Sequence, residues 1–159
     1  MINIDTGEIK FDGLSCSFTN NTTLPGFLAS GVEIVEKNFI ESSKITTLWF
    51  KGSIDGANAS FVVGFEGEHI CALRFKRTSS EAFKEKYLLK PIRKGNLSMA
   101  SEVGHILNEK YRSEIKQNDA WLLRTIGHPP PYEYKWGKIV SHEAPHTGEA
   151  MVSILFNQA

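Results

Sequence analysis

The chain has 159 residues, of which 41% are hydrophobic, 11% aromatic and 23% charged. Size and composition are those of one folded domain spanning residues 1–159, and they exclude disorder. Eighteen basic side chains against eighteen acidic ones leave no net charge, which removes a whole-chain attraction for nucleic acid or an anionic membrane.

The opening MINIDTGEIKF carries neither a basic n-region nor an apolar h-region, so no signal peptide is expected. No apolar run approaches the roughly 18 residues of a transmembrane helix. A cytoplasmic location is the expectation. Cys16 and Cys71 sit in the alternating runs LSCSF and HICALRF, where small buried hydrophobes are expected, not a disulfide or metal ligands.

Residues 8–11 and 14–18 alternate around Asp12-Gly13, a tight-turn dipeptide, and predict a hairpin. Thr23 as cap, Pro25 in the first turn and Gly31 past the end predict a short helix between them. Residues 32–39 read as extended. Residues 44–54, 59–65 and 69–75 predict a meander, its first turn at Asp55-Gly56 and its second at Gly67. The two-residue period puts Phe61, Val63 and Phe65 on one face, and Cys71, Leu73 and Phe75 on one face with Arg74 and Lys76 pointing away.

A helix over residues 98–126 supplies the cover. Met99, Val103, Leu107, Tyr111 and Ile115 recur every four residues, and Ile106, Leu122, Leu123 and Ile126 widen the stripe. Ser98 is the expected N-cap, a break is expected near Asn118-Asp119, and Gly127 with Pro129-Pro130-Pro131 stops the helix. Residues 79–93 have helical composition. A closing hairpin is predicted from 133–141 and 150–156, turning at 145–148. The expected fold is α+β: one domain, an antiparallel sheet packed against a long helix of the C-terminal half.

His142-Glu143-Ala144-Pro145-His146 matches the H-E-x-x-H pattern of zinc proteases, which works when a helix puts both imidazoles on one face. Pro145 breaks such a helix and the flanks are strand-like, so a polar turn is expected and neither metal nor cofactor is assigned. His69, His105 and His128 are scattered. Phosphate-cradling glycine loops and the nucleophile elbow are missing from the sequence. The basic run Lys84, Lys86, Lys90, Arg93 and Lys94, beside Phe83 and Tyr87, reads better as a solvated helix face than as a nucleic-acid contact. Tyr132, Tyr134 and Trp136 share a strand face by alternation, either as core or as interface anchors. Trp49 and Phe50 point to opposite faces, so one of them needs a further cover.

The opening D-T-G-E-I-K-F-D-G-L with T-T-L-P-G-F-L-A-S, and the close P-P-P-Y-E-Y-K-W-G-K-I-V-S with T-G-E-A-M-V-S-I-L-F, resemble small bacterial immunity proteins of contact-dependent inhibition and related polymorphic toxin systems. The matching patterns are a G-x-I-x-x-x-G hairpin, a T-x-x-x-F-L-x-S helix and a final P-P-x-x-x-W-G-x-I-x-S hairpin. They cover about the first 40 and last 30 residues, and the middle agrees in element order alone. The resemblance implies a non-enzymatic protein that covers the active site of a cognate toxin C-terminal domain, nucleases among them, with no nucleic acid or membrane of its own. Ala144-Pro145-His146 departs from the acidic-Pro-basic turn of such proteins, and zero net charge departs from a generic acidic shield. Trp49, Tyr132, Tyr134, Glu66 and Glu68 are the candidate partner-binding residues. The alternatives are a small hydrolase or ligand-binding domain, using His69, His105 or His142 in a cleft, and a structural accessory protein.

Overall fold

We describe residues 1–77, 97–144 and 149–157 of a computed structural model; side chains at 97–103, 106 and 107 lie outside the description. The elements are β1 (Ile9–Lys10), β2 (Ser17–Phe18), α1 (Leu24–Leu28), β3 (Ile34–Ile40), β4 (Ile45–Ile54), β5 (Ala57–Glu66), β6 (His69–Arg77), α2 (Leu97–Ile126), β7 (Tyr132–Tyr134), β8 (Gly137–Glu143) and β9 (Ala150–Phe156). Strands β3 to β9 form one seven-stranded sheet in the order β3-β4-β5-β6-β9-β8-β7, each neighbouring pair antiparallel. The α+β class, with an antiparallel sheet against a long C-terminal-half helix, is the fold this chain adopts.

Asp55 and Gly56 close the β4–β5 hairpin with φ of 50° and 73°, the left-handed backbone that a two-residue hairpin turn requires. That turn fixes the register, with Phe50 opposite Phe61 and Leu48 opposite Val63. Phe75 and Leu73 continue the rows on β6, and Val152 and Ile154 carry them onto β9. Directly opposed side chains share a face, so one side of the sheet is a continuous apolar layer.

Two covers bury it. The N-terminal segment brings Ile2, Ile9, Phe11, Phe18 and Phe27 into the core. Phe11 packs against Phe61 and Phe75 with ring centroids 5.0 and 5.2 Å away, and Phe27 reaches Phe50 and Phe65 at 5.4 and 5.9 Å. Phe27 is held there by α1, whose cap is the predicted Thr23: its hydroxyl oxygen accepts from the Gly26 N–H at 3.2 Å. Helix α2 covers β8 and β9 with Trp121, Leu122 and Ile126 buried. Trp121 meets Phe75 edge-on at 5.5 Å, and its indole N–H donates to Asp55 Oδ2 at 2.9 Å.

Several expectations change in detail. Helix α2 starts at Leu97, so Ser98 lies inside it, and it runs through Asn118-Asp119 without a break. Leu123, expected in the stripe, is 46% exposed; Trp121 occupies the buried face instead. Residues 79–93 with their basic run, the turn at 145–148, and the side chains of Met99, Val103, Ile106 and Leu107 lie outside the described residues. In β6 a register shift leaves Cys71 between Ala72, opposite Gly64, and Ile70, opposite Phe65. Ile70 therefore fills the core, and the Cys71 sulfur packs over Gly64 on the other face. Cys16 and Cys71 are half-buried, and partial burial pushes both thiols above their ordinary range.

The stretch 133–141 is not one strand. It folds into β7 and β8 about Lys135-Trp136, pairing Tyr134 with Gly137 and Tyr132 with Ile139. Gly137 is required there, because a Cβ would run into the Leu155 carbonyl oxygen. Trp136 tucks under the N-terminal segment: its indole N–H donates to the Ile4 carbonyl at 2.8 Å, and its ring fills the space that a Cβ on Gly7 would need.

Candidate functional site

Among the described residues the second face of the sheet is left partly open: Trp49 and Val140 are exposed on it, while Val62, Ala72 and Ser153 are buried. Where two β-strands alternate in register, the residues between the core positions line up as well. Trp49 stands opposite Val62, Val62 opposite Arg74, Arg74 opposite Ser153 and Ser153 opposite Val140. One straight row thus crosses β4, β5, β6, β9 and β8. A parallel row on the same face contains Ala72, Leu155 and Lys138, and His142 sits opposite Met151.

All of these except Ala72 line a half-open depression of about 550 Å³. Trp49, Val62, Val140, Met151 and Leu155 make it apolar, and Arg74, Lys76, Lys138 and Glu149 supply its charges. Trp49 is 38% exposed and Val140 equally so. Lys76 Nζ and Glu149 Oε2 form an ion pair at 2.6 Å across the end of the depression. Arg74 has no ion pair with a described residue.

His142 occupies a polar corner. Its Nδ1 lies 3.0 Å from the Glu143 carbonyl oxygen, which only accepts, so that nitrogen carries the hydrogen. In the neutral ring Nε2 then accepts from the Ser153 hydroxyl at 2.8 Å. Ser153 is 4% exposed, and this bond satisfies a polar group that is costly to bury unpaired. His142 and Glu143 belong to strand β8 and not to a helix, and His146 is outside the described residues. Among the described residues no three His, Cys, Asp or Glu side chains come together as a metal cluster, and no helix is long and apolar enough to cross a membrane.

The five candidate residues are not brought together. Trp49 lines the depression. Glu66 and Glu68 are exposed at the β5–β6 turn, four or more positions along the strand from Val62. Tyr132 is 4% exposed, its hydroxyl buried with no hydrogen-bond partner among the described residues, so it serves as core and offers no contact surface. Tyr134 is half-buried, stacked on Trp136 at 5.1 Å, with its hydroxyl 3.2 Å from His128 Nε2. Burial raises the pKa of both phenols. His69 and His105 do not line the depression.

Arg74, Val62, Val140, Met151 and Leu155 were not singled out from the sequence. The signal was there in β9, where AMVSILF is apolar at positions of both parities. A strand of that kind is apolar toward both faces of the sheet. Comparison with family models, curated proteins and solved structures returns no match for this chain.

Proposed function

We propose that this chain is a cytoplasmic immunity protein that binds a cognate bacterial toxin domain and neutralises it by covering the toxin's active site. The observation that carries the reading is the open sheet face. Trp49 and Val140 present exposed apolar side chains at the two ends of a row whose exposed centre is Arg74, with buried Val62 and Ser153 between them, an apolar surface around an arginine of the kind found in interface cores. The resemblance at the two chain ends supplies the class of partner. The matched motifs themselves are scaffold: Gly7 and Trp136 pack on each other, Thr23 caps α1, and Gly137 permits the β8–β9 approach. Scaffold motifs at the ends, with recognition on the open face of β4, β5, β6, β9 and β8, suit a family whose members share a fold and differ in partner.

Co-expression tests the reading. A candidate cognate toxin domain, sought as a toxin C-terminal region immediately upstream of the gene, is produced with and without the chain; growth rescue and a complex stable through gel filtration are expected. Toxicity unrelieved at full expression, with no complex, overturns it.

A second reading rests on the His142–Ser153 hydrogen bond inside an apolar depression, an arrangement that also serves a hydrolase nucleophile and base. Turnover of p-nitrophenyl butyrate that disappears in Ser153→Ala would establish it, and no turnover above buffer would end it.

A further inference from the structure

The depression has a charge pattern that goes further than its apolar lining. Its ionic side chains are Arg74, Lys76, Lys138 and Glu149. The Lys76–Glu149 pair is closed at 2.6 Å, and Arg74 and Lys138 have no ion pair within 4 Å to a described residue. Their positions differ. Lys138 lies on β8, beside Glu133 of β7 as its cross-strand neighbour, at the rim. Arg74 is the middle residue of the five-strand row, with Val62 on one side and Ser153 on the other. Strands are spaced by about 4.8 Å, so the backbones of Trp49 and Val140, two strands away on either side, lie roughly 10 Å from that of Arg74. Ala72 and Lys76 flank it along its own strand.

We propose that Arg74 is the central anchor of the open face and receives a carboxylate from an acidic, apolar-flanked surface of the partner toxin domain. This rests on the reading of the chain as a toxin-binding protein. The guanidinium presents a planar fork of N–H donors that matches a carboxylate in a two-pronged contact, which an ammonium group does not. Docking a partner onto Trp49, Val62, Val140 and Leu155 removes water from around that contact, and a charge-assisted hydrogen bond gains strength as local water is excluded. Trp49 and Val140 act as the water-excluding walls. The partner surface is therefore acidic where it meets β6, the opposite of the basic toxin surface that an acidic immunity protein meets.

Two arms test this. In the first, binding to the candidate cognate toxin domain is measured by calorimetry. Arg74→Ala weakens binding about 30-fold or more, as expected of a central arginine anchor. Arg74→Lys recovers only part of that loss, and Arg124→Ala, which removes a cation from the last turn of α2, leaves binding unchanged. In the second, the chain alone is titrated with 3-phenylpropionate and with 3-phenylpropanol while methyl resonances of Val140 and Leu155 are followed. The carboxylate is expected to bind at least about fivefold tighter than the alcohol, a preference that Arg74→Ala abolishes, in line with a charge-assisted bond over a neutral one. Wild-type binding of the toxin with no effect of Arg74→Ala overturns the anchor and leaves the immunity reading standing. Equal binding of acid and alcohol overturns the anchor without reference to any toxin. Carboxylate preference with no toxin complex keeps the anion site and sinks the immunity reading.

Discussion

The two faces of the sheet are made by the same strands and differ by one residue in phase. On β4, Phe50 is buried beneath Phe27 and stacked on Phe61 at 5.1 Å, while its neighbour Trp49 stands open to solvent. On β8 the same contrast separates buried Ile139 from exposed Val140. The covered face is aromatic and closed by two separate chain segments. The open face is as apolar in places but carries Arg74, Lys76, Lys138 and His142 among its hydrophobes. Burial of the first stabilises the fold; the second is the face proposed to meet a partner. Adjacent residues should therefore answer to different assays.

The largest difference is expected from Phe50→Ala and Trp49→Ala. Phe50→Ala should cost about 3–5 kcal/mol, from lost burial and the cavity left behind, which lowers the melting temperature by roughly 10 °C or more in a chain of this size. Trp49→Ala should cost under about 1 kcal/mol yet impair binding of the proposed toxin partner. Equal melting temperatures for the two would break the contrast between faces. Gly7→Ala comes next. Its φ of 71° is left-handed, and a Cβ would meet the Trp136 ring at 2.5 Å, so a loss of about 2 kcal/mol or more is expected. Trp136→Leu opens that space, so the two changes together should destabilise by less than their sum in thermal unfolding.

Much of the covered face is legible in the sequence, because alternation in residues 59–65 and the Asp55-Gly56 turn are local signals. Thr23 and Pro25 announce α1 for the same reason. The errors arise where tertiary contacts decide. The shift at Cys71 reverses the parity of β6, and nothing in HICALRF marks it. Lys135-Trp136 folds back because Trp136 is drawn under Ile4 and Gly7, more than a hundred positions away in the chain. The open site is harder still: it draws single residues from five strands, each of which reads alone as an ordinary outward-facing position. Arg74 and Lys76 are recognisable as pointing away from the core, but only the register shows that Arg74 falls between Trp49 and Val140.

A smaller effect sharpens the electrostatics of the open face. Lys76→Met leaves Glu149 without its 2.6 Å ion pair; both side chains are about one-fifth exposed, and a loss of about 1 kcal/mol is expected in urea unfolding. The smallest effect is chemical. Burial raises the thiol pKa values of Cys16 and Cys71 above 9.0, so at pH 8 both should alkylate more slowly with iodoacetamide than a free thiol, and at the free rate once unfolded. As pH rises through the ordinary thiol range, the unfolded chain ionises before the folded one, and stability should decline on the alkaline side.

The most direct test is a methyl-detected NMR footprint of the chain titrated with its proposed partner, a candidate cognate toxin domain. The two faces alternate along single strands, so neighbouring methyls report on different sides of the sheet. The account predicts shifts and broadening at Val62, Val140, Met151 and Leu155, with Val63, Val152 and Ile154 little changed. Perturbation confined to Val35 and Ile40 of the exposed edge strand β3, or to the outer side of α2, would contradict it.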